Sequence, residues 1–446
     1  MMTSILLIIS FFNTILFIKN WKKLVYIFLF LLPFLGFIQH KIQPFTILSP
    51  LIHDLIFIIP LYIIIISNKV KINILPNDLK KLIYLFIFLI LLQFFSPLNN
   101  VIFLARLVAL KVWIFYFLCI IIGYYLITDK KDLKFFCNLL AVITIFPCII
   151  GIIQYISSLT IGYPQTFINF YNDSEAAFGA TQGFAKFEYG FIKIFRIPST
   201  FSYVAQYLNY LIISLIPVIT SINLGETNKE KFFYKLILYL VIVALILSGS
   251  RGAIVFLIIF YIFFNYVNSN IKNMRYLPLK FFFILLIILV AYNQNNYFRV
   301  IFSLSVNYVT DYLFINLFEN IFKYFFGIGL GNATQAVRYI DPTISKHIHE
   351  GYYVKTLVEL GFFGVVMIFV LFFNYLKQAN IARQNLLKYN ENIFCSCFGA
   401  YIYLQIISAF KSWVYFDGYP ANFMFFILLG IILKLGTKDY LIKSYS

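Results

Sequence analysis

The chain of 446 residues has few charged side chains, and acidic ones are the scarcest. Asp and Glu together number 17, and all charged types make up 12% of the sequence. Typical globular domains contain roughly 25% charged residues, part of the polar surface that they present to water. This composition excludes a soluble enzyme, a coiled coil and a disordered chain.

Cysteine and histidine are also rare. The five cysteines stand in or beside apolar runs without the spacing of zinc ligands. This excludes a secreted disulfide scaffold and predicts small buried side chains. The first apolar run lacks the basic start and the cleavage site of a signal peptide, so none is predicted. No P-loop, nucleophile elbow or zincin motif occurs.

Hydrophobic residues, in contrast, make up 62% of the chain and fall into long runs. A helix needs about 20 apolar residues, within a range of about 17–25, to cross a bilayer. The sequence therefore predicts an all-α polytopic membrane protein, a single integral membrane domain over 1–446 with about 12–13 transmembrane helices. The candidate spans are 2–18, 24–39, 50–67, 81–97, 102–127, 134–156, 203–223, 233–249, 251–267, 277–293, 352–376, 393–411 and 420–437.

The net charge of +18 comes from lysines and arginines that collect in alternate loops between these spans. The positive-inside rule makes those loops cytoplasmic, with the N-terminus outside and the C-terminus inside. No basic run is long enough for a nucleic-acid footprint, so no nucleic-acid partner is expected. Two long polar segments, 157–202 and 294–351, fall on the opposite face and are predicted to be external loops that carry the function.

The first candidate site motif is Arg196-Ile-Pro-Ser-Thr-Phe201, at the end of the first long loop. An arginine at the membrane edge either anchors the chain to lipid headgroups or binds an anion, since its planar guanidinium suits phosphate. The second is Ser248-Gly-Ser-Arg-Gly-Ala253, between two spans on the outer side. Arg251 is misplaced there by the topology rule and is either a snorkelling residue in a tight turn or a ligand in a wet cavity.

The third candidate lies at the end of the second long loop, from Gly327-Ile-Gly-Leu-Gly331 to His347-Ile-His349-Glu350. The glycine triplet resembles a phosphate-cradling loop, although no strand precedes it. His349 is a candidate general base, because the ordinary histidine pKa of about 6.5 suits proton removal near neutrality. Solvated loop histidines are the alternative. Glu359, within the next span, is expected to pair with a cation or a polar group of the bundle.

Further cations are predicted on the outer side and could bind the same anion. Arg106 and Lys111 stand about one helical turn apart in the outer half of one span and could line one cavity. Arg338 and His347 belong to the second long loop, and Lys355 follows it.

The order of these motifs resembles the O-antigen ligase/polymerase superfamily of bacterial GT-C membrane glycosyltransferases. The similarity rests on Arg196 to Phe201, Ser250-Arg251-Gly252, Gly327 to Gly331, and His349 with Glu359 and Gly361, and it covers about 190–365. Two positions depart from the family pattern. Ser199 replaces its usual glycine, and Glu350 replaces the asparagine after the histidine.

The resemblance implies transfer of a glycan from an undecaprenyl-pyrophosphate carrier to a sugar hydroxyl, with inversion and without a metal or cofactor. It implies that Arg196 and Arg251 stabilise the pyrophosphate, that His349 accepts the hydroxyl proton, and that Glu350 orients His349. Arg338, His347, Arg106 and Lys111 are additional candidate binding residues. The implied location is the inner membrane of a bacterium, multi-pass, with the active site facing the periplasm. Besides the lipid-linked donor and acceptor, the implied partners are membrane lipid, a chain-length regulator and a flippase.

Three alternatives remain open from the sequence. The two sizeable external loops favour a polymerase of lipid-linked repeat units over a ligase that transfers the glycan to lipid A-core. A protein O-glycosyltransferase would share the same chemistry. A transporter or flippase would also suit so many spans, but it predicts interrupted half-helices or charged groups at the middle of the membrane.

Overall fold

The computed structural model describes residues 2–37, 54–67, 74–171, 186–189, 192–201, 203–268, 316–334, 337, 351–410 and 420–445. Helices fill most of these ranges, because so apolar a chain must satisfy its backbone groups within each segment. Four described helical stretches are long and apolar enough to cross a membrane, namely Phe103–Leu126, Lys130–Thr160, Val204–Leu224 and Tyr352–Asn385. This confirms the all-α membrane class.

The helices occur in the expected order. The first half contains α1 (Met2–Phe17), α2 (Trp21–Leu31), α3 (Ile59–Ser67), α4 (Asn77–Phe94), α5 (Phe103–Ile114), α6 (Cys119–Leu126), α7 (Lys130–Thr160) and α8 (Tyr163–Tyr171). The second half contains α9 (Val204–Leu224), α10 (Asn228–Leu247), α11 (Arg251–Asn268), α12 (Asn316–Lys323), α13 (Tyr352–Asn385), α14 (Asn392–Ser408), α15 (Ala421–Leu435) and α16 (Lys438–Tyr445). Every predicted span overlaps a helix except 277–293, which lies outside the described residues.

Two predicted elements differ in detail. The predicted span 102–127 is interrupted by a 3₁₀ turn, Phe115–Leu118. In the predicted span 50–67, the described residues begin with a π turn, Asp54–Ile58. The described parts of the segment 157–202 include regular secondary structure. They hold α8 and an antiparallel hairpin of β1 (Lys186–Tyr189) and β2 (Ile192–Phe195), in which Lys186 pairs with Phe195.

The core is formed around α15, which is buried along its whole length. It crosses α6 at two glycines, Gly123 and Gly430. A Cβ on Gly123 would lie 2.0 Å from the Ile427 carbonyl oxygen, and one on Gly430 would lie 2.1 Å from that of Ile120. The two backbones therefore touch, as is common where small residues line a helix contact within a membrane.

The described parts of several lysine-rich loops lie together at one end of the bundle, which we call the lysine-rich face. Ion pairs across it join Lys22 to Asp132 (3.1 Å), Lys134 to Glu226 (2.9 Å) and Glu230 (3.4 Å), Lys130 to Glu391 (3.9 Å), and Lys377 to Asp78 (3.4 Å). The Glu226 backbone N–H donates to the Glu230 carboxylate and, with Lys134, holds the pKa of Glu230 below its usual range. Among the described residues, basic loops that alternate along the sequence thus meet at one face.

Candidate functional site

The fold brings two of the predicted motifs into direct backbone contact. The Ile197 N–H donates to the Ser248 carbonyl oxygen (3.1 Å), which lays the segment carrying Arg196 on the turn before Arg251. Gly249 has a φ of +65°, and a Cβ there would lie 2.0 Å from the Phe195 carbonyl oxygen and 3.1 Å from the Arg196 Cα. Only glycine permits this approach, because it lacks a Cβ and adopts positive φ without strain.

Arg251 is the first residue of α11, so this contact also places Arg196 beside the start of a helix. Backbone N–H groups at the start of a helix lack intrahelical partners and favour an anion. A small apolar cluster supports the Arg196 segment, because Phe195 and Ile197 pack with Phe167 of α8. The arrangement suits a site for a phosphate-bearing group.

Ser199 of the first motif adopts a backbone conformation that is unusual for a residue other than glycine. Its φ is +54°, a left-handed conformation that glycine adopts more easily than serine. The Ser199 hydroxyl donates to the Pro147 carbonyl (2.6 Å), and the Ser199 carbonyl accepts from the Gln154 amide (2.9 Å). These two bonds to α7 hold the serine in its strained conformation.

The glycine triplet lies against α13 and breaks its hydrogen-bond ladder. In a continuous helix the Phe362 N–H would donate to the Val358 carbonyl. Here Phe362 donates to the Phe325 carbonyl (2.9 Å), and Val358 accepts from the Ile328 N–H (2.8 Å). Gly361 absorbs the break with φ +76°. The backbone at Phe325 and Ile328 therefore replaces hydrogen bonds within α13. The sequence did not indicate this contact.

The last glycine of the triplet and the residues after it bind an anion that is a side chain of the protein itself. The Glu359 Oε1 accepts from the Gly331 N–H (3.1 Å), the Ala333 N–H (2.9 Å) and the Thr334 hydroxyl (2.8 Å). The expectation that Glu359 pairs with polar groups of the bundle is confirmed. The backbone N–H groups of Gly331 and Ala333 thus converge on a carboxylate, in the manner of a backbone nest.

Trp113 completes this cluster, although no sequence pattern singled it out. Its indole N–H donates to the Glu359 Oε2 (2.6 Å), and the Lys355 ammonium lies 4.5 Å from the centre of its ring. Lys355 is only 1% exposed, so the expectation that it adds charge to the outer surface is wrong. The Trp113 ring stabilises the buried cation because aromatic faces attract positive charge.

Arg106 and Lys111, both in α5, have partners of their own. The Arg106 guanidinium donates to the backbone carbonyls of Val101 (2.8 Å) and Asn99. The Lys111 ammonium forms an ion pair with Asp54, whose carboxylate also accepts from the Tyr116 hydroxyl (3.0 Å). Both side chains therefore stabilise the bundle, and a role for either in binding a substrate remains a prediction.

The other predicted site residues cannot be placed by the same means. His347, His349, Glu350 and Arg338 lie outside the described residues, and of Arg251 only the backbone is described. Within the described ranges, no three His, Cys, Asp or Glu side chains are grouped so that they could hold a metal ion. No protein-family model matches the chain, and no curated protein matches it either.

Proposed function

We propose that the protein is a multi-pass GT-C membrane glycosyltransferase. It polymerises undecaprenyl-pyrophosphate-linked oligosaccharide repeat units into O-antigen or a related surface polysaccharide. The observation that carries the proposal is the contact between the Arg196 segment and the turn before Arg251, made by the bond from Ile197 to Ser248. Two arginine motifs that are about fifty residues apart in the sequence meet at one place, as binding of one pyrophosphate would require.

The proposed chemistry is a single displacement at the anomeric carbon. The acceptor sugar hydroxyl attacks that carbon, the bond to the pyrophosphate oxygen breaks, and the configuration inverts. His349 takes the hydroxyl proton while Glu350 orients its ring. Negative charge grows on the departing pyrophosphate, where the guanidinium groups of Arg196 and Arg251 stabilise it in a water-poor site. Arginine suits this task because its planar donors bind phosphate oxygens in pairs.

The location of the lysine-rich face supports an active site on the opposite side. Positive loops stay in the cytoplasm during insertion, so the lysine-rich face is assigned to the cytoplasm of a bacterium. The Arg196 motif precedes α9, and the turn with Arg251 joins α10 to α11. Both motifs lie at the helix ends that are away from that face. The reaction then takes place on the periplasmic side of the inner membrane, where a flippase would deliver the lipid-linked units and a chain-length regulator would act.

A second candidate function is transport, which the interruption of α13 at Gly361 favours. Broken helices and buried charges, here Glu359 and Lys355, occur at the substrate sites of many transporters. In this protein, however, the freed backbone groups of α13 are satisfied by the segment of Phe325 and Ile328, and the buried carboxylate has four donors. Since the Glu359 carboxylate and these backbone groups already have partners within the described residues, we place transport second.

The deciding experiment supplies purified protein in lipid nanodiscs with lipid-linked repeat units only. A polymerase lengthens them into a ladder of lipid-linked chains. Elongation or transfer that appears only after addition of lipid A-core would identify a ligase, and transfer only to an added protein acceptor would identify a protein O-glycosyltransferase. If no glycosidic bond forms with any acceptor, while liposomes containing the protein move the lipid-linked unit across the bilayer, the transporter is correct.

A further inference from the structure

The end of α12 and the turn that follows it expose large aromatic side chains. Phe322 is 87% exposed and Phe326 is 72% exposed. We call the stretch 322–326 the aromatic turn. Contiguous exposed apolar side chains mark a surface that contacts a membrane or another protein. With eight residues, α12 is about 12 Å long and too short to cross a hydrocarbon core of about 30 Å. These exposed rings therefore belong to no transmembrane span.

The helices beside the aromatic turn show how far it lies from the lysine-rich face. The ion pair of Lys377 and Asp78 joins α13 to α4 at that face. From there the rise is about 22 Å along α4 to Gln93 and about 24 Å along α13 to Gly361, at about 1.5 Å a residue. Both residues touch the aromatic turn. The Gln93 amide donates to the Phe326 carbonyl (2.7 Å), and a Cβ on Gly361 would lie 2.7 Å from the carbon of that carbonyl. Because a hydrocarbon core is about 30 Å thick, this is a depth that lipid occupies.

The backbone carbonyls of the aromatic turn are paired in the way that an apolar surrounding requires. After α12 ends, the Phe325 carbonyl accepts from the Phe362 N–H of α13 (2.9 Å), and the Phe326 carbonyl accepts from the Gln93 amide of α4. Non-helical backbone is tolerated at membrane depth only where the protein satisfies its polar groups. A turn surrounded by water could leave such carbonyls to the solvent. The pairing therefore favours lipid around this turn.

The exposed rings continue the apolar outer surfaces of α4 and α13. On α4 and its C-terminal cap, exposed apolar side chains recur at helical spacing, and the same holds on α13. These residues are Phe88, Leu92 and Phe95 on the first helix, and Phe363, Val366 and Phe373 on the second. The Phe363 ring lies 6.1 Å from the ring of Phe325, which joins the aromatic turn to this surface. Glu319 and Lys323, one helical turn apart in α12, are also exposed. Charged side chains at a membrane edge can reach the headgroups in this way.

We propose that α12 and the aromatic turn lie in the leaflet opposite the lysine-rich face, where the rings of Phe322 and Phe326 bind lipid acyl chains. Glu319 and Lys323 then face the headgroups of the same leaflet. The glycine triplet begins directly after Phe326, so the loop that binds Glu359 starts at lipid depth. This placement does not depend on the proposed glycosyltransferase activity.

Spin labels on single introduced cysteines test the placement in the full-length protein in lipid nanodiscs. Phe322→Cys and Phe326→Cys carry the label in the aromatic turn. Phe373→Cys, on the outer surface of α13, is the lipid-facing control, and Lys131→Cys, exposed on the lysine-rich face, is the water-facing control. The unlabelled background is measured on the wild type, whose five cysteines are buried. Oxygen concentrates in hydrocarbon and a nickel chelate stays in water, so the ratio of their collision rates with the label reports depth.

We expect the ratio of oxygen to nickel collisions at positions 322 and 326 to match the ratio at 373 and to exceed the ratio at 131. Ratios equal to that at 131 would place the aromatic turn in water and overturn the proposal. Labels that meet neither reagent would show that another protein chain covers the rings, which would overturn lipid as their partner.

A charge introduced into the aromatic turn gives a second measurement. Phe322→Asp should lower the unfolding temperature in nanodiscs, because a carboxylate loses its hydration in hydrocarbon. The matched control is Leu387→Asp, which changes an exposed leucine in the turn after α13 at the lysine-rich face and should have little effect. Equal unfolding temperatures of the two variants would contradict the placement of Phe322 in lipid.

Discussion

The Ile197 N–H donates to the Ser248 carbonyl oxygen, and through this bond the chain entering α9 lies on the turn that enters α11. The bond joins two predicted motifs that are separated along the sequence by α9 and α10. Its geometry depends on Gly249, whose Cα faces the Phe195 carbonyl at a distance that leaves no room for a methyl group. The first prediction concerns this glycine.

Replacing Gly249 with alanine should both destabilise the protein and abolish glycan elongation. A Cβ at φ +65° costs about 1–2 kcal/mol, and the contact with the Phe195 backbone adds to that cost. Thermal unfolding in detergent measures the first effect and a gel of the glycan products the second. Gly399→Ala is the control, since a Cβ there meets Val267 side-chain atoms at 3.6 Å and 3.8 Å. Equal stability of the two variants would contradict the prediction.

Arg251→Ala should leave the protein inserted in the membrane but reduce elongation by about 100-fold to 1000-fold, as removal of one preorganised donor does. Arg251→Lys should retain only part of the activity, because lysine keeps the charge and loses the planar fork. Arg196→Ala and Arg196→Lys should have the same effects as the corresponding substitutions of Arg251. Lys131→Ala, on the exposed lysine-rich face, is the control. Normal glycan ladders from both alanine variants would refute the role of the arginines.

If His349 is the base, the rate of elongation should decrease as the pH is lowered below about 6.5. A base works in its unprotonated form, so protonation of an imidazole with an ordinary pKa removes activity by about tenfold per pH unit. The pH profile is obtained from initial rates measured between about pH 5 and pH 8. His349→Ala should abolish turnover at every pH, whereas His40→Ala should retain the wild-type profile. A flat profile in the wild type would assign the proton to another group.

Ser199 should tolerate glycine better than alanine. Glycine adopts φ +54° without strain, so Ser199→Gly relieves the backbone and loses the contacts of the serine hydroxyl, among them its bond to Pro147. Ser199→Ala loses the same bond and keeps a Cβ in the left-handed region, which costs about 1–2 kcal/mol. Unfolding temperatures of the two variants test the order. A less stable glycine variant would show that the hydroxyl bond and chain stiffness dominate over backbone strain.

Gly123→Ala should separate α6 from α15 and destabilise the core by about 1–3 kcal/mol, the usual cost of overpacking. Gly430→Ala, on the other helix, should do the same, since each added methyl group would meet a backbone carbonyl. Gly436→Ala serves as the control, because its Cβ would have no neighbour closer than 3.5 Å. The measurement is again thermal unfolding in detergent, and three equal values would contradict the close crossing.

The sequence predicts the helices well because a membrane span is a local property of composition. Some twenty apolar residues are needed wherever a helix crosses lipid, and the runs at 134–156 and 352–376 meet that need without reference to any other segment. The sequence also predicts which charged loops share a face, because lysine-rich loops remain on the cytoplasmic side during membrane insertion. Neither feature depends on how the helices pack.

The interior of the candidate site could not be predicted in the same way. The break at Gly361 is caused by Phe325 and Ile328, and Lys355 is buried because Trp113 offers its ring. Such partners are distant in the sequence, and neither periodicity nor charge indicates them. One clue was available. A glutamate in an apolar span needs several donors, and a nearby glycine-rich stretch has accessible N–H groups, so the pairing of Glu359 with Gly331 could have been proposed.

The ion pairs of the lysine-rich face connect parts of the chain that are synthesised at different times. Lys22 is made 110 residues before its partner Asp132, and Asp78 is made 299 residues before Lys377. Lys130 likewise precedes Glu391. The early helices must therefore enter the bilayer while these side chains are still surrounded by water. The pairs made by Lys377 and Glu391 close only late in translation, so they fasten an assembly whose order of insertion has already been decided by the apolar segments.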